Sequence, residues 1–460
     1  MSIHNLSEKI LDQGGILISF LHKAETIKPG TTRNVTVYLP AAVHTPCETA
    51  VQVYLDGMRD PEPAILEKLI ADGSMPPTVT IGITAAGYPA SLPGGTDRSV
   101  RSPEYDGLGS SLADYIIDVL IPEIAALIQP RGYTFSTSPN WHSINGCSSG
   151  GIASWNACWE RNDYFRRCFM ASPTFSSFRG GDSLPFLMRK FETKKIRTFM
   201  TAGTNDMRNS AGDWYLEALT AAEALKFAGY EYAFQIFKNG CHGVGSCDPA
   251  IMERAMIFIW KNWRTTPVSF LHFPPRVADL ISPETEWTQT NEPMPSPTPC
   301  PYTFSGNKIF LKDRVVENTE YPISALALSS DKWRLYVATT ERRMVYAYAI
   351  QPDGSLKDPY SHAHLHLKDD FRKPGAYDIC IDSFDRLYAA TETGIQTISH
   401  NGETNTLLTL PGNKPVTAIA FSGSENKDLF AETSDGIVFK RPFLTEAPDD
   451  RILPPCTPSF

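Results

Sequence analysis

Over roughly the first 265 positions, short apolar runs alternate with segments of helical period. Asn34–Leu39, Ala50–Leu55, Val79–Ile83, His142–Asn145, Ile196–Ala202 and Tyr230–Phe237 are rich in β-branched and aromatic residues, which predicts strands. Between them, Glu62–Ala71, Leu112–Ile128, Ile152–Trp159 and Trp214–Ala228 space their apolar residues three and four apart, as a helix with one buried face does. Gly229 supplies a stop for the last of these. Asp248 and Pro249 form a cap and first turn for a further helix running through Ile257 to Trp260. Strands alternating with helices predict a mostly parallel sheet covered on both faces.

The texture changes after residue 265. Prolines 267, 274, 275, 283, 293, 295, 297, 299 and 301, with few apolar runs among them, predict an extended linker over 266–302. Beyond it a pattern repeats. Ala325–Leu328 leads to Arg334–Thr339, Ile379–Asp382 to Arg386–Thr391, and Ala418–Phe421 to Asp428–Thr433. Leu335, Leu387 and Leu429, each followed by an aromatic residue, recur at intervals of 52 and 42 residues, the period of a four-stranded propeller blade. The expected division is therefore an α/β domain at 1–265, the linker, and a partial β-propeller of about three blades at 303–460.

A net charge of -9 disfavours nucleic acid and anionic membrane surfaces as partners, since both select a basic footprint. Met1–Gly14 holds no continuous apolar h-region, and no stretch reaches the length of a membrane span. Nine cysteines without CxxC or zinc-type spacing point to reduced thiols and a cytoplasmic setting. Cys241 and Cys247 flank His242, where a local bridge is an alternative.

Gly146-Cys147-Ser148-Ser149-Gly150 fits G-x-S-x-G, which chance supplies roughly 0.1–0.2 times in a chain of this length. A strand pattern precedes it and a helix pattern follows, the setting of a nucleophile elbow. There the residues two places either side of the serine must be small for the hydroxyl to project. A serine hydroxyl needs a base, and the base an orienting carboxylate. His242, in Asn239-Gly240-Cys241-His242-Gly243, is the one histidine between Ser148 and the linker. His142 falls inside the preceding strand and reads as structural. For the carboxylate, Asp206 follows the Ile196–Ala202 strand, where ligands collect in such sheets, whereas Asp213 opens a helix and is explained by capping. The backbone amides of Ser149 and of Met58, after Val53-Tyr54-Leu55-Asp56-Gly57, are the expected oxyanion donors. The segment Thr84–Gly107, with Arg98, Arg101 and Asp106, is placed to wall the pocket.

Arg33-Asn34-Val35-Thr36-Val37-Tyr38-Leu39-Pro40, Tyr54-Leu55-Asp56-Gly57, Glu104-Tyr105-Asp106-Gly107, the elbow, Gly203-Thr204-Asn205-Asp206 and Gly240-Cys241-His242 together resemble the esterase D and ferric-enterobactin esterase group of α/β-hydrolases over about residues 15–263. The resemblance implies hydrolysis of carboxylic esters or lactones, without a cofactor, by Ser148, Asp206 and His242. Asp56 departs from it, because most relatives place His before that Gly. The C-terminal repeats resemble later blades of the SMP-30/gluconolactonase propeller, a family that binds a divalent metal. Two of its ligand positions fall near Ser324 and Tyr377, neither of them Asn or Asp, and Asp378 is one place off register. The resemblance therefore implies a non-catalytic domain without metal. His362, His364 and His366 alternate and would share a strand face as a rival metal site.

These readings converge on a serine esterase or lactonase acting on a small-molecule ester or lactone. The same triad serves an acyltransferase or a C–C bond hydrolase, and an inactive hydrolase used for binding is the alternative of another class. Three open blades leave unpaired edges, so a homodimer through the C-terminal domain is expected.

Overall fold

Residues 2–25, 29–90, 98–267, 275–282, 284–366 and 375–448 are described in the computed structural model. The chain divides into two compact units, residues 1–189 with 193–272, and residues 190–192 with 273–460.

The first unit is built on strands β1 (Ile3–Ile10), β2 (Ile16–Lys23), β3 (Thr32–Leu39), β4 (Cys47–Leu55), β5 (Thr78–Ile83), β6 (His142–Cys147), β7 (Arg167–Ala171), β8 (Arg197–Gly203) and β9 (Glu231–Phe237). They lie in the order β1-β2-β3-β5-β4-β6-β7-β8-β9, and pairing is parallel from β5 onward. The antiparallel members are β1, β2 and β3, at one edge. Val51, Val53, Leu55, Ile81, Ile83 and Ile144 are fully buried, as strands covered on both faces require. Helices α1 (Glu62–Ala71), α3 (Ser149–Glu160), α4 (Trp214–Phe227) and α5 (Pro249–Trp260) fall close to the predicted segments. The predicted Leu112–Ile128 is helical with a π-helical stretch over Tyr115–Leu120, and α2 (Arg101–Tyr105) lies in the Thr84–Gly107 segment, which carried no helical pattern. Asp248 caps α5, accepting from the amides of Ala250 and Ile251.

Of these nine strands, three escaped the sequence reading. In β2, Ile18, Phe20 and His22 are buried alternately, a period-2 signal diluted by polar neighbours. β1 is an edge strand with almost wholly exposed residues, so it carries no pattern. β7 opens on Arg167, which looks like a surface residue but is 0% exposed. Its guanidinium donates to the carbonyls of Ile259 and Lys261 at the end of α5 and to those of Asn140 and Thr265, so it ties the helix end to two neighbouring turns.

The second unit holds β10 (Thr288–Thr290), β11 (Tyr302–Ser305), β12 (Lys308–Leu311), β13 (Arg314–Asn318), β14 (Ile323–Leu328), β15 (Arg334–Thr339), β16 (Met344–Ile350), β17 (Leu356–His364), β18 (Asp378–Ile381), β19 (Leu387–Thr391), β20 (Gly394–Ile398), β21 (Thr404–Leu408), β22 (Val416–Ser422), β23 (Asp428–Thr433) and β24 (Val438–Pro442). They form four small antiparallel sheets, β11-β12-β13, β14-β15-β16-β17, β18-β19-β20-β21 and β10-β24-β23-β22. This succession fits a propeller-like domain, and no closed ring is formed among the described residues. The first sheet lacks the Leu-aromatic signature and was not foreseen.

The proline-rich segment differs from a free linker. Val277, Leu280 and Ile281 are buried in one core with Tyr388, Ile395 and Leu429, and β10 pairs with β24 at the sheet's edge. Proline excludes a central strand but not a short edge strand flanked by turns. Pro274 and Pro283 lie outside the described residues.

The alternating histidines do not share a face. Register slips between Val345 and Tyr346 bury His362 and Ala363 in succession, while His364 is exposed and His366 lies past the strand's end. Ser324 donates its hydroxyl to Ala376 O at 2.6 Å, and Tyr377 to Glu392 at 3.1 Å. Asp378 accepts from the amides of Ile379 and Ile419, so its carboxylate joins neighbouring strands. No cluster of three metal-binding side chains occurs among the described residues.

Candidate active site

Ser148 joins β6 to α3 with φ 59° and ψ −123°, a backbone conformation that costs an L-residue strain and turns the strand sharply into the helix. The turn is tight enough to dictate its neighbours. A Cβ at Gly146 would lie 2.4 Å from Gly150 O, and one at Gly150 would touch Leu55 Cβ at 3.3 Å. The turn is anchored to the chain beside it, with the Ser148 amide donating to Ala171 O at 2.9 Å and the Thr174 amide to Ser148 O at 3.2 Å.

Asp206 follows β8, and its side chain is fully buried. His242 Nδ1 lies 2.6 Å from Asp206 Oδ1, and the Met207 amide donates to the same oxygen at 2.7 Å. Burial works to raise the Asp206 pKa, but bonds from His242, Met207 and Ser172 outweigh it and hold the carboxyl below its usual range. Asp213 does something else. It caps α4, accepting from the amides of Tyr215 at 3.1 Å and Leu216 at 3.2 Å.

Three residues that the sequence pattern does not assign to the site, Trp214, Thr174 and Ser172, tie the histidine loop to the elbow. Trp214 stands edge-on to the His242 ring at 6.2 Å, and its Nε1 donates to Thr174 Oγ1 at 3.3 Å. Thr174 Oγ1 is in turn 3.4 Å from Ser148 Oγ. The Gly243 amide donates to Ser172 Oγ at 3.0 Å. Ser172 and Thr174 follow β7 directly, so missing that strand concealed them. The structure thus makes the His–Asp bond and leaves Ser148 Oγ hydrogen-bonded to Thr174; no Ser148–His242 bond is formed among the described residues. Contacts of this kind commonly tighten only when substrate binds.

Ser149 is the first residue of α3, where backbone amides lack helical partners. Asp56 and Gly57, with φ of 65° and 89°, turn the chain after β4 so that the Met58 amide lies over Gly82. A Cβ at Gly82 would come within 2.6 Å of Met58 N. The far end of this loop is fixed by Glu62, a buried side chain that accepts from the Arg59 amide at 3.1 Å while its own amide donates to Arg59 O. Burial pushes its carboxyl up to about 8. A cavity of about 390 Å³ is lined by Gly57, Met58, Arg59 and Gly82 and does not reach Ser148.

The Asp56 carboxylate lies against the start of α3, 3.4 Å from where a Gly150 Cβ would stand, and pairs with Arg101 through bonds of 2.9 and 2.7 Å. Asp106 is buried instead of lining the pocket, and residues 91–97 of the expected wall lie outside the described residues. His142 is structural, as its position in a strand implies. Its ring nitrogens meet the carbonyls of Ser136 and Tyr164, and burial lowers its pKa to about 4. The eight described cysteines, Cys241 and Cys247 included, are free thiols.

Strand order, direction and an elbow between a central strand and a helix define the first unit as an α/β-hydrolase fold. Within the second unit, residues 308–435 match the SMP-30/gluconolactonase/LRE-like region. Among solved structures, the chain is similar to a ferulic acid esterase at 15% identity, covering 54% of this chain and 98% of that one with a TM-score of 0.40. It is similar to the enterobactin esterase from Shigella flexneri at 16% identity, 56% and 59% coverage and a TM-score of 0.42. An S-formylglutathione hydrolase from Agrobacterium tumefaciens gives 17% identity, 56% and 100% coverage and a TM-score of 0.39. No match was found among the curated proteins.

Proposed function

We propose that the first unit is a serine hydrolase that cleaves carboxylic esters or lactones through an acyl-enzyme on Ser148. The observation that carries this reading is the 2.6 Å bond from His242 to a buried Asp206, which follows β8 at the same C-terminal end of the parallel strands as the strained serine elbow that follows β6. In this reading His242 Nε2 takes the Ser148 proton as Oγ attacks the acyl carbon. Asp206 keeps the proton on Nδ1 and stabilises the imidazolium that forms. The amides of Ser149 and Met58 receive the oxyanion, and His242 returns the proton to the departing alkoxide. Water then repeats the sequence to free the acid. Acyl transfer to an alcohol, or C–C cleavage, would use the same residues; an inactive binding protein would not need the strained elbow.

The free cysteines support a reducing, cytoplasmic compartment. No helix among the described residues is long and apolar enough to cross a membrane. Homodimerisation through the second unit is supported by its unclosed sheets and by Phe304 and Val315, 40% and 43% exposed on the first of them.

The deciding experiment compares wild type and Ser148→Ala on p-nitrophenyl acetate, with and without EDTA. Loss of turnover in the variant and none with chelator is the expected result. Full activity in Ser148→Ala overturns the nucleophile.

A further inference from the structure

We propose that the first unit selects esters bearing a carboxylate and that Arg101 is the residue that recognises it; this rests on Ser148 as nucleophile. Arg101 opens α2, and the chain after α2 is fastened over α3, where Asn156 Nδ2 donates to Gly109 O at 2.6 Å. On the other side, Arg179 Nε donates to Ser102 Oγ at 3.4 Å, from the segment that follows Thr174. Arg101 is thereby held above the elbow, between the Asp56 loop and the Thr174 segment.

Its guanidinium is oriented before any ligand arrives. Asp56 takes Nε and Nη2, and the Tyr105 ring lies 5.3 Å from the guanidinium carbon. Nη1 has no partner among the described residues, on a side chain 36% exposed. A guanidinium already fixed by a two-pronged pair loses little freedom on making one more bond, and a carboxylate is its geometric match. Asp56 alone would set a negative charge at the start of α3, where an oxyanion has to form, and Arg101 cancels it. Arg59, three residues after Asp56 on the same loop, adds a further positive charge beside it.

The carboxylate can belong to the acyl chain or to the alcohol, and matched ester pairs separate the two. One arm compares mono-p-nitrophenyl glutarate with p-nitrophenyl butyrate, the other 3-acetoxybenzoate with phenyl acetate. Wild type should favour the anionic member of at least one pair by about tenfold to a hundredfold in kcat/KM, the worth of one charge-assisted hydrogen bond. In Arg101→Gln that ratio should fall to near one whatever the absolute rates. Arg101→Gln/Asp56→Asn, which leaves no unpaired carboxylate, should give the same ratio. Equal rates on both pairs in wild type, or a preference surviving in Arg101→Gln, overturn the carboxylate assignment and leave Ser148 standing. Hydrolysis of both members of a pair by Ser148→Ala overturns the nucleophile and the assignment together.

Discussion

Glu62 stands at the end of the loop that carries Met58, wholly enclosed and with its carboxyl pushed up to about 8 by burial. The Arg59 amide at 3.1 Å and Gln52 at 3.3 Å favour the charged form and offset only part of that cost. An unfolded chain releases the same proton near pH ~4.3. Between those two values the folded protein therefore holds one proton more than the unfolded one, and stability falls as pH rises. Since the folded pKa is the raised one, the contribution is complete below about pH 4.3 and is lost through about pH 8. The slope is about 1.4 kcal/mol per pH unit, which makes about 3 kcal/mol between about pH 5.5 and 7.5. Glu62→Gln keeps the shape and an oxygen for the Arg59 amide but cannot titrate. Its stability relative to wild type should rise by about 3 kcal/mol across that interval. Urea unfolding followed by tryptophan fluorescence measures this, because Trp141, Trp155, Trp159, Trp214, Trp260 and Trp263 all lie in the first unit. A stability difference that is the same at both pH values refutes the reasoning.

Asp206→Asn should lower kcat by about 10³–10⁴-fold, because it no longer fixes the His242 tautomer. Asp213→Ala should instead cost about 1 kcal/mol of stability, read by denaturant, and leave turnover within a few-fold. Gly82→Ala should lower kcat about 10²-fold by displacing the Met58 amide, measured alongside circular dichroism to verify the fold. The full chain should sediment as a dimer at micromolar concentration, and a version ending at Arg264 should run as a monomer.

How much of this was legible in the sequence depended on whether one residue type could carry the signal. The elbow was readable because close packing forces glycine at 146 and 150, and Asp248 and Pro249 marked their helix start by capping chemistry alone. Asp206 could be separated from Asp213 because their places in the strand–helix order differ. What failed was context. Arg167 reads as solvated until the helix-end carbonyls it binds, Ile259 and Lys261, are placed around it, and losing β7 hid Ser172 and Thr174. The prolines of 266–302 report what the backbone cannot do, not that Val277, Leu280 and Ile281 would find a core. The histidine alternation predicts a shared face only for a strand without bulges.

The pairing of β10 with β24 has a consequence for synthesis. Thr288 meets Lys440 across 152 residues of chain, so the last sheet stays incomplete until Pro442 has left the ribosome. Until then Val277, Leu280 and Ile281 have no lasting shelter, and a nascent chain exposes them throughout translation of the repeats. The second unit should therefore fold late and all at once, and premature termination anywhere before β24 should yield an aggregating product even though most of the repeats are present.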